Sequence, residues 1–266
     1  MTIRIPIGGI GVRAPGIENW KELTENAEYV IPTTPIADQP KGLGQCLPAT
    51  ERRRATPVTR LALDLAMEAV GDRNTDDLSA VFCSSGGEVT VVHQIFSMLA
   101  EGDTALSPTA FHNSVHNAAA GYWSIASGSP YAADSLCAFD DSFGAGLAEC
   151  CLRYAEGQRN LLLVTYDIPP PHPISLHREI HNAVGGSLLL GANNTQPLAW
   201  LNLRYEACPH LESPPLSQSA QVERLPTHPG SVMMALLKTI AQKELSHHAI
   251  PAGFGGMLHV KVEPCW

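Results

Sequence analysis

The stretch Tyr131-Ala132-Ala133-Asp134-Ser135-Leu136-Cys137-Ala138-Phe139-Asp140-Asp141-Ser142-Phe143-Gly144-Ala145-Gly146-Leu147-Ala148-Glu149 decides the fold. Tyr131 to Leu136 reads as a short strand, and a helix is expected from Phe143 to Tyr154. Cys137 therefore stands where a strand gives way to a helix. The positive end of a helix favours the thiolate, which is how a fold prepares a sulfur nucleophile. From placement alone the plainer reading, a small apolar core filler, carries more weight.

The neighbouring segments continue the same pattern. Leu78 to Cys83 is short and apolar between Asp77 and Ser84-Ser85-Gly86-Gly87, a buried strand closed by a tight turn, and Leu161 to Tyr166 is a second buried strand. Thr56-Pro57 supplies a capping residue and a proline at the first helical position, so a helix is expected from Pro57 to Val70 with Val58, Leu61, Leu65, Ala66 and Ala69 on one face. Further helices are expected over Val89–Leu99, over the Ala-rich Asn117–Ser127 and over Ser231–Leu245. Ile3 to Ile7 reads as an opening strand running into a turn at Gly8-Gly9-Ile10-Gly11-Val12. These glycines lack GxGxxG spacing and Pro15 follows, so a dinucleotide site is rejected. Gly185–Leu190, Ala199–Tyr205 with edge-strand alternation, and a final Leu258–Val262 extend the sheet. Ile31 to Pro48 is a long irregular connection suited to covering a neighbouring subunit, and residues 206–230 are a second one, rich in Pro and Ser. Continuous apolar strand runs between helices predict one α/β domain over residues 1–266, layered α/β/α around a mostly parallel mixed sheet.

Composition removes several functions. A formal charge of −9, with Arg52-Arg53-Arg54 the sole basic run, argues against a nucleic-acid surface. The seven cysteines show no CxxC pairing and the eleven histidines no HExxH, so neither a zinc site nor a disulfide framework is expected. His247 and His248 would diverge on a helix and read as wet surface. No apolar run is long enough for a membrane span and the first ten residues do not form a signal peptide, so a reducing cytoplasm is the expected location. Nothing implies a metal, flavin or nicotinamide cofactor.

Several segments in register resemble one family. Gly9-Ile10-Gly11-Val12, Arg54-Ala55-Thr56, Leu106-Ser107-Pro108, Asn117-Ala118-Ala119-Ala120-Gly121 and Ser135-Leu136-Cys137-Ala138 are similar, in order and spacing, to landmarks of the β-ketoacyl synthase amino-terminal half, most recognisably over 54–166. More narrowly, Phe111 to Gly121 and Asp141 to Glu149 resemble the small chain-length-factor-like subunits of aryl polyene pathways. The resemblance implies a thiolase-like fold, here its amino-terminal half. It also implies a heterodimer with a cognate full ketosynthase acting on acyl carrier protein, whose phosphopantetheine would be the prosthetic group nearby.

A complete ketosynthase needs a cysteine to accept the acyl chain, two histidines to promote decarboxylation and an oxyanion hole. The histidine motifs of the HGTGT and GH types are not evident. His228, in Thr227-His228-Pro229-Gly230, is a weak counterpart whose plainer reading is a solvent-exposed histidine at a helix start. Gly253-Phe254-Gly255-Gly256 is similar to the family's oxyanion loop, or is simply a hairpin turn. Phe139, Asp140 and Asp141 replace the small residues expected after the nucleophile and would narrow acyl access and oppose the thiolate. Cys137 is therefore read as vestigial, and Phe139 as a tunnel-lining residue. The resemblance places His112, His116 and Asn117 near a dimer interface, with helix capping by Asn117 as the alternative, and it sets Asp134 and Ser135 on the strand that pairs across the dimer. The expected function is a non-catalytic partner that shapes the acyl tunnel; the alternative is a thiol acyltransferase or condensing enzyme using Cys137.

Overall fold

The computed structural model describes residues 2–191, 196–207, 228–253 and 255–265. Strand β1 (Thr2–Arg13) runs straight through the glycines expected to turn the chain. A Cβ at Gly9 or Gly11 would run into the carbonyls of Ala69 and Leu65, so glycine there lets a helix lie directly on the strand backbone. Short helices α1 (Trp20–Glu25) and α2 (Ala49–Arg54) precede that helix, α3 (Pro57–Val70). α3 has the expected bounds, and the Thr56 side chain accepts from Thr59 N. β2 (Ser79–Cys83) and α4 (Val89–Ala100) follow. Pro108 opens α5 (Pro108–Asn113), which Ser107 caps. Then come α6 (Ala118–Ser127), β3 (Ala133–Leu136) and α7 (Ser142–Ala155), which a turn of 3-10 helix at Phe139–Asp141 introduces. β4 (Asn160–Asp167), β5 (Val184–Gly191), β6 (Ala199–Ala207), α8 (Ser231–Ala241), β7 (Ser246–Pro251) and β8 (Gly256–Pro264) complete the order. Residues 208–227, most of the second irregular connection, lie outside the described residues; residues 206 and 207 belong to β6.

The strands form one mixed sheet in the order β3-β2-β4-β5-β1-β6-β8-β7. Only β2 with β3 and β2 with β4 are parallel; the other neighbours are antiparallel. The expectation of a mostly parallel sheet is thus corrected, and the cause lies in how burial writes itself into sequence. A strand covered on both faces is apolar throughout whichever way its neighbours run. β4 shows this: Leu161 and Leu163 pack into the layer with Ile5, Leu147 and Leu237, while Leu162 and Val164 join Leu65, Phe82 and Trp123 on the opposite face. Each such side chain contributes about 1.5–3 kcal/mol by leaving water. Past β1 the coverage becomes one-sided, so β6 and β8 alternate buried with partly exposed residues. The outer face there carries Arg4, Asn202, Lys261 and Glu263, with Glu263 paired to Arg4 at 3.2 Å and to Lys261 at 2.7 Å. β6 lies between β1 and β8, not at an edge. His247 and His248 stand on strand β7, where His248 is within 3.2 Å of Thr239 Oγ1 and 3.0 Å of Ser246 Oγ.

The irregular segment from Ile31 is fastened to its own chain. Asn182, fully buried just before β5, accepts from Ile36 N at 3.1 Å and Gln39 Nε2 at 2.8 Å. Its amide donates to Pro32 O at 2.8 Å and Thr34 O at 3.0 Å. The loop's backbone polar groups are thereby satisfied without a ladder.

Candidate functional site at the Cys137 elbow

Parallel pairing builds the site. The register sets Cys83 opposite Leu136 on one side and opposite Thr165 on the other, so β3, β2 and β4 all end together. Their carboxyl ends deliver Cys137, the Ser84–Gly87 turn and Asp167 to one place, the usual position for a site in such a sheet. The sequence shows the first of these as a site and the second only as a turn, and gives Asp167 no role.

Cys137 is exposed, and its thiol donates to Ser85 O at 3.5 Å. Among the described residues no imidazole hydrogen-bonds the sulfur. Ser142 shapes the elbow: its hydroxyl donates to Phe139 O at 2.6 Å and accepts from Ala138 N at 3.0 Å. Phe139 is held at φ +53°, a left-handed conformation that a bulky residue adopts only when its surroundings impose it. The residue is 59% exposed, and its ring lies 3.8 Å beneath the Arg178 guanidinium, a cation–π contact. Arg178 also meets Asp140 at 2.6 Å, close but poorly aligned for a hydrogen bond. Asp141 accepts from Gly253 N, and burial raises its carboxyl above the usual range. Both carboxylates expected to bear on the sulfur are thus engaged elsewhere. Gly253, at φ +74°, opens the β7–β8 hairpin turn, and a Cβ on it would lie 3.4 Å from the Ala138 Cβ. Of the described residues of this glycine-rich segment, Gly256 N donates to Gly253 O at 2.8 Å, and Gly253 abuts the elbow.

Asp167 closes β4 and is 3% exposed. Its Oδ1 accepts from Ser85 Oγ at 2.7 Å, Ser85 N at 2.9 Å, Ser84 Oγ at 3.1 Å and Gly86 N at 3.3 Å. Burial outweighs these donors and pushes the carboxyl up to about 6. Between Asp167 and Phe139 opens a cleft of about 410 Å³, walled by Val89, Ile168, Ile174 and Ile180 with His177 and Arg178. Asp167 had a faint sequence signal, one acid ending an otherwise apolar strand; Arg178 had none.

The residues expected at an interface are not all together. His116 joins the site from behind, its Nε2 3.3 Å from Ser84 O. His112 stacks edge-on to Tyr122 at 5.9 Å. Asn117 precedes α6 but makes no side-chain cap, which corrects the capping alternative. Asp134 and Ser135 lie on β3, an outermost strand of the sheet, with Asp134 paired to Arg153 at 2.6 Å. His228 is a second correction: it is 9% exposed, not solvated. Its Nδ1 accepts from Gly230 N at 2.9 Å, so Nε2 carries the proton that meets Asn182 O at 2.8 Å. Burial lowers its basicity, and both ring nitrogens are committed to backbone.

A cysteine elbow at the end of parallel strands within this layered sheet defines a thiolase-like ketosynthase fold. The chain belongs to the family of the β-ketoacyl synthase amino-terminal domain, which it matches over residues 20–249, well beyond the stretch 54–166 recognisable by eye. Among solved structures it is similar to a chain of the ketosynthase ApeO in complex with its chain length factor ApeC from Xenorhabdus doucetiae, with 21% identity, TM-score 0.74, and coverage of 97% of this chain and 99% of that one. The ishigamide ketosynthase/chain length factor gives TM-score 0.76 at 10% identity, covering 99% of this chain and 100% of that one. The AntDE:AntF assembly, a type II acyl-carrier protein in complex with its ketosynthase, gives 0.74 at 10% identity with full coverage of both chains. No curated protein matches the sequence. Among the described residues no helix is long and apolar enough to cross a membrane.

Proposed function

We propose that this chain is a non-catalytic, chain-length-factor-type subunit that pairs with a full β-ketoacyl synthase in the cytoplasm and shapes its acyl tunnel in aryl polyene or fatty-acid-like synthesis. The observation that carries this reading is the elbow itself: the Cys137 thiol is spent on Ser85 O, and the buried His228 has no nitrogen free to serve it. The likeness to ketosynthase and chain-length-factor assemblies supports a partner, and β3 offers it an outermost strand carrying Asp134 and Ser135. Acyl carrier protein reaches the complex with its phosphopantetheine-borne chain, and Phe139, beside the cleft, limits its length. Co-expression with the cognate ketosynthase is expected to give a stable heterodimer burying more than about 2,000 Å². In the reconstituted pathway Cys137→Ala leaves output unchanged while Phe139→Ala shifts product length. A chain that stays a stable monomer with no affinity for the ketosynthase ends this reading.

The exposure of Cys137 supports a second reading, an acyltransferase in which the thiol takes an acyl group from the carrier. Intact mass after incubation with acyl carrier protein decides between them: an adduct lost in Cys137→Ala favours transfer, and its absence favours the partner role.

A further inference from the structure

Two separate segments meet at the mouth of the cleft. The elbow contributes Phe139, the segment leading into β5 contributes Arg178, and both line it. Phe139 opens its turn of 3-10 helix at φ +53°, a backbone conformation that a bulky side chain takes only under constraint. On the backbone side, the Ser142 hydroxyl holds the Phe139 carbonyl. On the ring side stands Arg178, whose guanidinium lies 3.8 Å from the ring centre and 2.6 Å from Asp140, the next residue along. The Arg178 side chain is only 19% exposed, and a charge so far removed from water needs that carboxylate. A planar cation stacks on an aromatic face while meeting a carboxylate, which a compact ammonium does less well. Arg178 is itself anchored, because buried Ile180 donates its N–H to the Arg178 carbonyl at 2.8 Å.

We propose that Arg178 is a positioning residue that pins the Phe139 ring at the cleft, with Asp140 orienting the guanidinium, and so fixes the length limit. The proposal rests on the tunnel reading above and adds the residue that sets it. Released from Arg178, an exposed ring gains rotamers that leave the cleft longer, and the limit moves outward.

The test has two readouts. The first uses this chain alone, with 4-fluorophenylalanine in place of its six phenylalanines and the Phe139 resonance assigned by its loss in Phe139→Leu. A ring fixed beneath a cation gives a fluorine signal displaced from that of a solvated ring. Arg178→Gln is expected to return the signal towards the solvated position, with the melting curve reporting that the variant is folded. The second readout is product length in the reconstituted pathway. Arg178→Gln is expected to lengthen the product in the same direction as Phe139→Ala and to add nothing further in the double variant, because residues acting through one contact are not additive. Asp140→Asn, at a half-exposed position, is expected to move both readouts the same way, and it decides the matter if Arg178→Gln does not fold. An unmoved Phe139 resonance overturns the proposal. So does an unchanged product in Arg178→Gln where Phe139→Ala shifts it, or a further shift in the double variant. If Phe139→Ala itself leaves the product unchanged, the length limit falls with the tunnel reading, and the fluorine signal still decides whether Arg178 holds the ring.

Discussion

Asn182→Ala is expected to destabilise the protein by about 3 kcal/mol, from the loss of several buried hydrogen bonds whose partners stay in place. The side chain is fully buried and holds Pro32, Thr34, Ile36 and Gln39 at once. Alanine leaves two carbonyls, a backbone N–H and the Gln39 amide without it, in a segment that has no helix or ladder of its own. Gln39 is doubly exposed to the loss because its Oε1 also receives Ala183 N at 2.7 Å. For a chain of this size that energy lowers the melting temperature by roughly 6–12 °C, measurable by calorimetry. Proteolysis should then cut first between Ile31 and Pro48. A melting temperature within a degree or two of the parent would mean that the loop's order comes from elsewhere. His228 gives an internal comparison: it meets the Asn182 backbone carbonyl, which alanine retains, so the start of α8 should keep its protection from hydrogen exchange.

What could be read in advance followed the range of the forces involved. α3 was legible to the residue because its cap, its first-position proline and its apolar face are written locally. β2 and α7 were legible for similar reasons, each within about a residue. Strand direction was not, since two-sided burial gives Leu161-Leu162-Leu163-Val164 the same look in either sense. β7 was missed because Ser246-His247-His248-Ala249 has too few apolar residues to signal a strand; pairing with β8 makes it one. Gly9 and Gly11 were read as a turn, the commonest use of glycine, when their use is close helix approach. At the site, the Cys137 elbow is a local strand-to-helix feature and was found. Asp167 and the Ser84–Gly87 turn acquire their roles only when β4 and β2 end beside β3, a non-local arrangement. The sequence likewise could not show that Asp140 and Asp141 turn to Arg178 and Gly253.

The second large effect concerns pH and the same buried acid. Asp167 has a folded-state pKa of about 6, against an ordinary 3.8 when exposed, because burial penalises the charge more than its four donors repay. The folded protein therefore binds a proton that the unfolded chain has released, and stability falls as pH rises through this interval. The contribution is fully present below about pH 4 and gone above about pH 6, and a shift of about two units corresponds to roughly 3 kcal/mol. Glu88, buried against Thr56 and Thr59, is also raised by burial and tilts the slope the same way, so the acid must be isolated by substitution. The other titratable and charged groups around Asp167 are Cys83 and Tyr166, both held neutral by burial, and Arg178 and His177 across the cleft. Denaturant unfolding of the parent and of Asp167→Asn, measured from pH 3 to pH 8, should give curves that converge at the acid end, apart from a constant offset, separate between about pH 4 and pH 6 with the variant gaining, and run parallel above it. Asparagine keeps an oxygen for the Ser84–Gly86 donors and carries no charge to desolvate, so its gain is the size of the parent's loss. Parallel curves across the whole range would mean that Asp167 titrates normally in the fold, and that its four donors balance its burial.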